Sequence, residues 1–217
     1  MMESNFTSYA IQPDCLDAVE KVFEPFHNRR ALIVGGSRGI GLSLTTLLKD
    51  RGWNVDAPPR AELDMTLPDF WDAYFESASY PVYNFVCFCA GDLNPFPWDR
   101  KDDEEYDTSY WVHALGPLML LARYKDSAFP WWTKVCFISS VGAINDGIVD
   151  LAYGMSKAAL DKAAKALQEH EAWDVHLIRF DLVDTDILYR LPTDTLHGRP
   201  VMTARQAAEQ IAKECGL

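Results

Sequence analysis

The amino-acid sequence predicts an α/β fold: a single domain with a doubly wound parallel sheet between two helical layers. Three observations carry this. Short apolar runs alternate with segments of helical periodicity, a pattern that builds parallel sheets covered on both faces. The first apolar run leads at once into a glycine-rich turn and a helix, Ala31-Leu-Ile-Val-Gly-Gly-Ser-Arg-Gly-Ile-Gly41. The residues able to do chemistry follow the strands, where ligands of such sheets bind.

The elements follow in order. Residues 1–30 form an arm and an extra helix, because Leu16, Val19, Phe23 and Phe26 recur at helical spacing within Asp14–Phe26. Residues 31–217 make the domain proper. Its first strand, 31–35, is an unbroken apolar run. A helix over 40–51 follows, with Leu44, Leu47 and Leu48 on one face. Then come strand 54–57, a helix near 68–78 and strand 83–89. The helix over 104–125 starts in an acidic run, which suits its dipole. Strand 134–139, helix 153–169, strand 175–180 and helix 204–214 complete the series. Thr203 and Gln206 have capping-box spacing for the last helix.

Composition narrows the function classes. A chain of 217 residues with 48% hydrophobic content buries a sizeable core. A net charge of −12 argues against nucleic acid and against anionic membrane surfaces. No apolar run is long enough to span a bilayer, which takes about 18 residues or more. The five cysteines have no metal or disulfide spacing, and the five histidines lie far apart, so no metal site is expected. Cys87, Cys89 and Cys136 read as small core hydrophobes. An odd cysteine count without a secretory signal predicts a cytoplasmic setting.

Two constellations point to chemistry. Tyr153 and Lys157 are four apart and share one helix face. An ammonium beside a phenol favours the phenolate and makes it a usable general acid or base. Ser140, thirteen residues upstream, offers a hydroxyl to hold a substrate oxygen. The second constellation is the glycine turn. Glycines let backbone approach a pyrophosphate, and the helix N-terminus adds free N–H groups and a positive dipole end.

Together these motifs resemble the short-chain dehydrogenase/reductase family, collinearly over about residues 31–214. The resemblance implies a three-layer Rossmann-type fold. The glycine motif would place Gly35, Ser37, Arg38, Gly39, Ile40 and Gly41 at the cofactor. Asp64-Met65-Thr66 is similar to the family's Asp-Val-Thr, with Asp64 at the adenine and Met65 beside it. Phe88-Cys89-Ala90-Gly91 is similar to Asn-Asn-Ala-Gly, with Ala90 and Gly91 at the cofactor and both asparagines lost. Val183-Asp184-Thr185 matches Val-Asp-Thr, whose Val183 and Thr185 would close over the nicotinamide. Ser140, Tyr153 and Lys157 match the catalytic residues, and Tyr153 and Lys157 would also touch the cofactor.

The resemblance implies hydride transfer between a nicotinamide and a carbonyl or secondary alcohol. Arg60, with Arg38 beside it, falls where a 2′-phosphate would lie, so NADP(H) is favoured over NAD(H). Asp56 is the alternative selector, for NAD(H). The substrate walls are expected in the loops Asp92–Trp98, Val141–Asp150 and Leu188–Arg199, with Phe96, Trp98, Ile144, Ile148, Leu188 and Tyr189 making them partly apolar. Arg190 and Arg199 leave a carboxylate-bearing substrate open. A homodimer through the helices at 104–125 and 153–169 is implied, aided by Ala158, Ala159, Ala163, Ala164 and Ala166.

Three departures from the family pattern stand out. His113 replaces an asparagine and is either part of the catalytic set or a satisfied core histidine. Phe180-Asp181 replaces Pro-Gly beside the nicotinamide. The family's usual final strand is absent. Two alternatives stay open: a non-catalytic NADP(H)-binding sensor or scaffold, and an epimerase or lyase on the same scaffold.

Overall fold

The computed structural model describes residues 29–77, 81–93, 103–145, 151–191, 196 and 198–217; the helix expected over Asp14–Phe26 lies outside them. Five strands form one parallel sheet: β1 (Arg30–Val34), β2 (Asn54–Asp56), β3 (Phe85–Phe88), β4 (Lys134–Ser140) and β5 (Asp174–Phe180). Their order is β2-β1-β3-β4-β5. The register sets Val34 beside Phe88, Phe88 beside Phe137 and Ile138 beside Ile178.

The apolar runs are continuous because both faces of the sheet are covered. Strand alternation splits them. Leu32, Val34, Val86, Phe88, Val135 and Phe137 enter one core, and Ala31, Ile33, Phe85, Cys87, Cys136 and Ile138 enter the other. Helices α1 (Gly39–Asp50) and α6 (Ala204–Glu214) cover the second core with Leu44, Leu47, Leu48, Ala208 and Ile211. The first is covered by α2 (Trp71–Ser77), α4 (Gly116–Tyr124) and α5 (Leu151–His170). The capping box forms: Gln206 N–H donates to Thr203 Oγ1 at 3.1 Å, and Thr203 N–H donates to Gln206 Oε1 at 2.9 Å.

One expected helix is corrected. The segment 104–125 is α3 (Asp103–Tyr110), a π-helical turn (Trp111–Leu115) and then α4. Pro117 has no N–H for the carbonyl of His113, four residues back, so the α-helical ladder fails there. Gly116 N–H donates instead to the Trp111 carbonyl. A short parallel pair, β6 (Val183–Asp184) with β7 (Met202–Thr203), was not expected from the sequence. Among the described residues no strand follows α6.

Candidate active site

The sheet order reverses between β1 and β3, and two confluent cavities open beyond the carboxyl ends of the strands there. They share Ile40, Cys89, Gly91, Thr185 and Ile187.

The first cavity, about 400 Å³, lies along the glycine turn. Gly35, Ser37, Arg38, Gly39 and Ile40 line it on one side, with Ala90 and Gly91 opposite. Gly35 has φ +83°, and a Cβ there would lie 2.5 Å from the backbone nitrogen of Ala90. Only glycine lets β1 and β3 come this close. Gly41 is buried and does not line the cavity. A Cβ on it would lie 2.3 Å from the Gly35 carbonyl oxygen, so its role is to let α1 pack on the turn.

Arg60, Asp64 and Met65 also line this cavity. Arg60 is largely exposed and donates through Nε to Asp64 Oδ2 at 2.7 Å. Burial pushes the Asp64 carboxyl up, but hydrogen bonds from Arg60 and Thr66 outweigh it and hold the carboxyl below the usual range. Asp56, the alternative selector, is not a lining residue. It accepts from Arg30 Nε and from the Tyr83 hydroxyl, both at 2.8 Å. Those bonds turn it away from the turn.

The second cavity, about 320 Å³, is mostly apolar and brings Ser140, Tyr153 and Lys157 together. Ser140 ends β4, and its Oγ accepts from Gly142 N–H at 3.1 Å. The neighbouring Ser139 is engaged elsewhere: it is buried and donates to Asp161, which also receives Arg179 Nε at 2.6 Å. Tyr153 and Lys157 stand one turn apart on α5, the Lys157 Nζ 5.7 Å from the centre of the Tyr153 ring. Lys157 is 4% exposed and donates to the Ile138 carbonyl at 2.8 Å. Burial pulls its pKa down to about 8, against the opposing pull of Cys89 and Asp161.

Val183 and Thr185 complete the wall, together with Phe180, Asp181 and Leu188. Ile144 and Tyr189, expected there, are exposed and do not line it; Phe96, Trp98 and Ile148 lie outside the described residues. Both arginines considered for a substrate carboxylate already hold acids, Arg190 with Asp92 at 2.6 Å and Arg199 with Asp181.

His113 lines neither cavity. It is buried in the π-helical turn, behind the wall. Its Nε2 accepts the Asp92 N–H at 3.0 Å, so Nδ1 carries the hydrogen and donates to Ser156 Oγ at 2.8 Å. Ser156 in turn donates to the Tyr153 carbonyl at 2.8 Å. Burial, then the Lys157 charge, holds the His113 pKa well below its ordinary value. It is therefore a neutral strut between the loop after β3 and the helix that carries Tyr153, and its catalytic assignment is corrected to a positioning one. Ser156, Asp161 and Arg179 were missed in the sequence. Their signal was weak: Ser156 precedes Lys157, and Asp161 follows it by one turn. Cys89 is also corrected. It is half-buried, packing against the second core and also lining both cavities.

The sheet order and helical layers define a Rossmann-type α/β fold, and it is the fold of the short-chain dehydrogenases and reductases. A short-chain dehydrogenase from Sphingobium yanoikuyae, solved with NADPH, is 18% identical, with a TM-score of 0.68 over 86% of this chain and 84% of its own. The 3-alpha-hydroxysteroid dehydrogenase from Pseudomonas sp. B-0831, solved with NADH, is 19% identical, with a TM-score of 0.70 and coverages of 86% and 89%. The 3-ketoacyl-(acyl-carrier-protein) reductase from Brucella melitensis, also with NADH, is 16% identical, with a TM-score of 0.73 and coverages of 86% and 90%. At these identities the likeness is one of fold. No protein-family model and no curated protein sequence matches the chain. No helix among the described residues is long and apolar enough to cross a membrane.

Proposed function

We propose that the chain is an NADP(H)-dependent oxidoreductase of the short-chain dehydrogenase/reductase type, acting on a small carbonyl compound or secondary alcohol with Tyr153 as general acid/base. The observation that carries this reading is the convergence of Ser140, Tyr153 and Lys157 on one apolar cavity that opens into the glycine-turn cavity.

The residues present fit a dinucleotide. The N-terminus of α1 offers free N–H groups and a positive dipole end to a pyrophosphate. Arg38 and Arg60 flank the same cavity with guanidinium groups suited to a 2′-phosphate. Asp56, the acid that would favour NAD(H), is committed to Arg30 and Tyr83. When bound, the nicotinamide supplies or accepts the hydride.

The chain's own residues handle the oxygen and its proton. Ser140 accepts from Gly142 N–H, which leaves its own hydrogen to donate to a substrate carbonyl oxygen. Tyr153 hands that oxygen a proton in reduction and removes it in oxidation. Lys157 spends one donor on Ile138 and keeps a positive charge one helical turn from the phenol. The apolar wall limits water around them. Leu115, Met119 and Met155 leave large apolar surface exposed on the π-helical turn, α4 and α5, in keeping with a homodimer through these helices. A cytoplasmic setting, where thiols stay reduced, belongs to the same reading.

Titration with NADPH and with NADH, followed by tryptophan fluorescence, tests the reading. Tight NADPH binding and weaker NADH binding are expected, with turnover of carbonyl substrates that stops in Tyr153→Phe. Binding of neither cofactor would overturn the proposal.

A further inference from the structure

The family pattern has an asparagine where this chain has Cys89. Cys89 directly follows β3 and prolongs its ladder, donating its N–H to the Val34 carbonyl at 2.9 Å. Cys89 lines the wall common to both cavities. Cys87, two residues back and fully buried, places its Sγ 3.4 Å from Cys89 Sγ. Strand alternation puts both thiols on the same face, and two steps of strand rise separate the Cα atoms by about 6.6 Å, the long limit of disulfide geometry, so closing the bond requires the backbone at the end of β3 to bend. Lys157 lies close enough for charge on Cys89 to raise its hold on a proton. Of the described cysteines, Cys89 is the one that lines these cavities. Cys136 and Cys215 are also free, but they are fully buried and line neither cavity.

We propose that Cys89 is a site of reversible oxidation by hydroperoxides, that Cys87 is its resolving thiol, and that the bond between them shuts the site to cofactor. This rests on reading the two cavities as the cofactor and substrate sites. In the first step the Cys89 sulfur attacks the terminal oxygen of the hydroperoxide. The O–O bond breaks, an alcohol (water, from hydrogen peroxide) leaves with a proton, and Cys89 becomes a sulfenic acid. In the second step the Cys87 sulfur attacks the Cys89 sulfur. The S–S bond forms, the S–O bond breaks, and the oxygen leaves as water with the Cys87 proton. Overall, two thiols are oxidised to one disulfide and one hydroperoxide is reduced. Drawing the two sulfurs together moves the Cys89 side chain and backbone at the shared wall, and a bound cofactor covers that thiol.

The test uses the reduced full chain exposed to hydrogen peroxide, with and without saturating NADPH. Remaining thiols are capped by alkylation and mapped by peptide mass spectrometry, which also separates Cys15. The peptide holding Cys87 and Cys89 is expected to lose the two thiol hydrogens, to escape alkylation and to recover with dithiothreitol. Bound NADPH should slow this by about tenfold or more, and the oxidised protein should bind NADPH at least about tenfold more weakly. In Cys87→Ala, oxidation should stop at a sulfenic acid on Cys89, trapped by dimedone. Full alkylation of both thiols after peroxide, or oxidation that starts at Cys136 and Cys215, would overturn the proposal; so would an oxidised protein that binds NADPH as the reduced one does. Failure of the reduced protein to bind NADPH would sink the proposed function instead, and the mass of the Cys87–Cys89 peptide would still decide the oxidation chemistry.

Discussion

The two cavities meet at Cys89 and Gly91 but are built in opposite ways. The glycine-turn cavity has one local wall, the stretch from Ser37 to Ile40 together with Gly35, faced by residues from other elements. The cavity of Ser140, Tyr153 and Lys157 is assembled from afar. Its helix is held from behind by His113 through Ser156, by the Ile138 carbonyl, and by Asp161 bridging Ser139 and Arg179. A wall made from one turn depends on backbone shape, whereas a helix held from several elements depends on buried polar bonds. Damage to the first should weaken binding, and damage to the second should cost catalysis or stability.

The sharpest way to separate them is Tyr153→Phe. Turnover should fall by about a thousandfold, the scale of losing a general acid, while NADPH affinity changes by less than about twofold. Steady-state kinetics beside a fluorescence titration check this, and parallel losses would mean that the cavities are not independent.

Asp161→Ala attacks the support of the second cavity. It leaves Arg179 and the Ser139 hydroxyl without their buried partner, so unfolding in urea should show a loss of about 3 kcal/mol. A loss below about 1 kcal/mol would show that the support is dispensable.

Arg60→Ala probes the first cavity. NADPH affinity should drop about tenfold or more and NADH affinity by less than about twofold, because only NADPH carries the 2′-phosphate. Equal losses would remove Arg60 from cofactor selection.

Lys157→Met tests the cost of a buried charge. Stability at pH 7 should rise by about 1–2 kcal/mol as turnover is lost, since the folded protein holds this proton less tightly than the unfolded chain does. The wild type gains stability as pH climbs from about 8 toward 10.5, where only the unfolded chain keeps the proton, so the variant's advantage should shrink over that window.

His113→Asn should have the smallest effect. As pH falls below 6.5, unfolded wild-type chains take up a proton that the buried ring refuses, and stability drops by about 1 kcal/mol per pH unit. The variant should lack that component, and thermal melts from pH 7 to 5 would show it.

Legibility in the sequence follows the same divide. The strand, glycine turn and helix from Arg30 to Asp50 were readable because period, turn and cap lie within a few residues of one another. Ser140 was distinguishable from Ser139 only by spacing, and the structure adds the reason: the Ser139 hydroxyl is bonded to Asp161. The break in the helix at 111–115 was marked by Pro117, but what it does for His113 depends on Ser156, 43 residues away. Asp56 looked available because its partners come from elsewhere in the chain, Arg30 from the neighbouring strand β1 and Tyr83 from the segment just before β3.

Local order set the layers of the sheet, the glycine turn and the turn-apart pair of Tyr153 and Lys157, because each depends on the period of a single element. Only packing between elements decided that His113 is a strut, that Arg190 and Arg199 are already paired, and that Cys89 faces a cavity with Cys87 against it. Those outcomes turn on which buried polar atoms find partners across the fold, and no single stretch of chain carries that information.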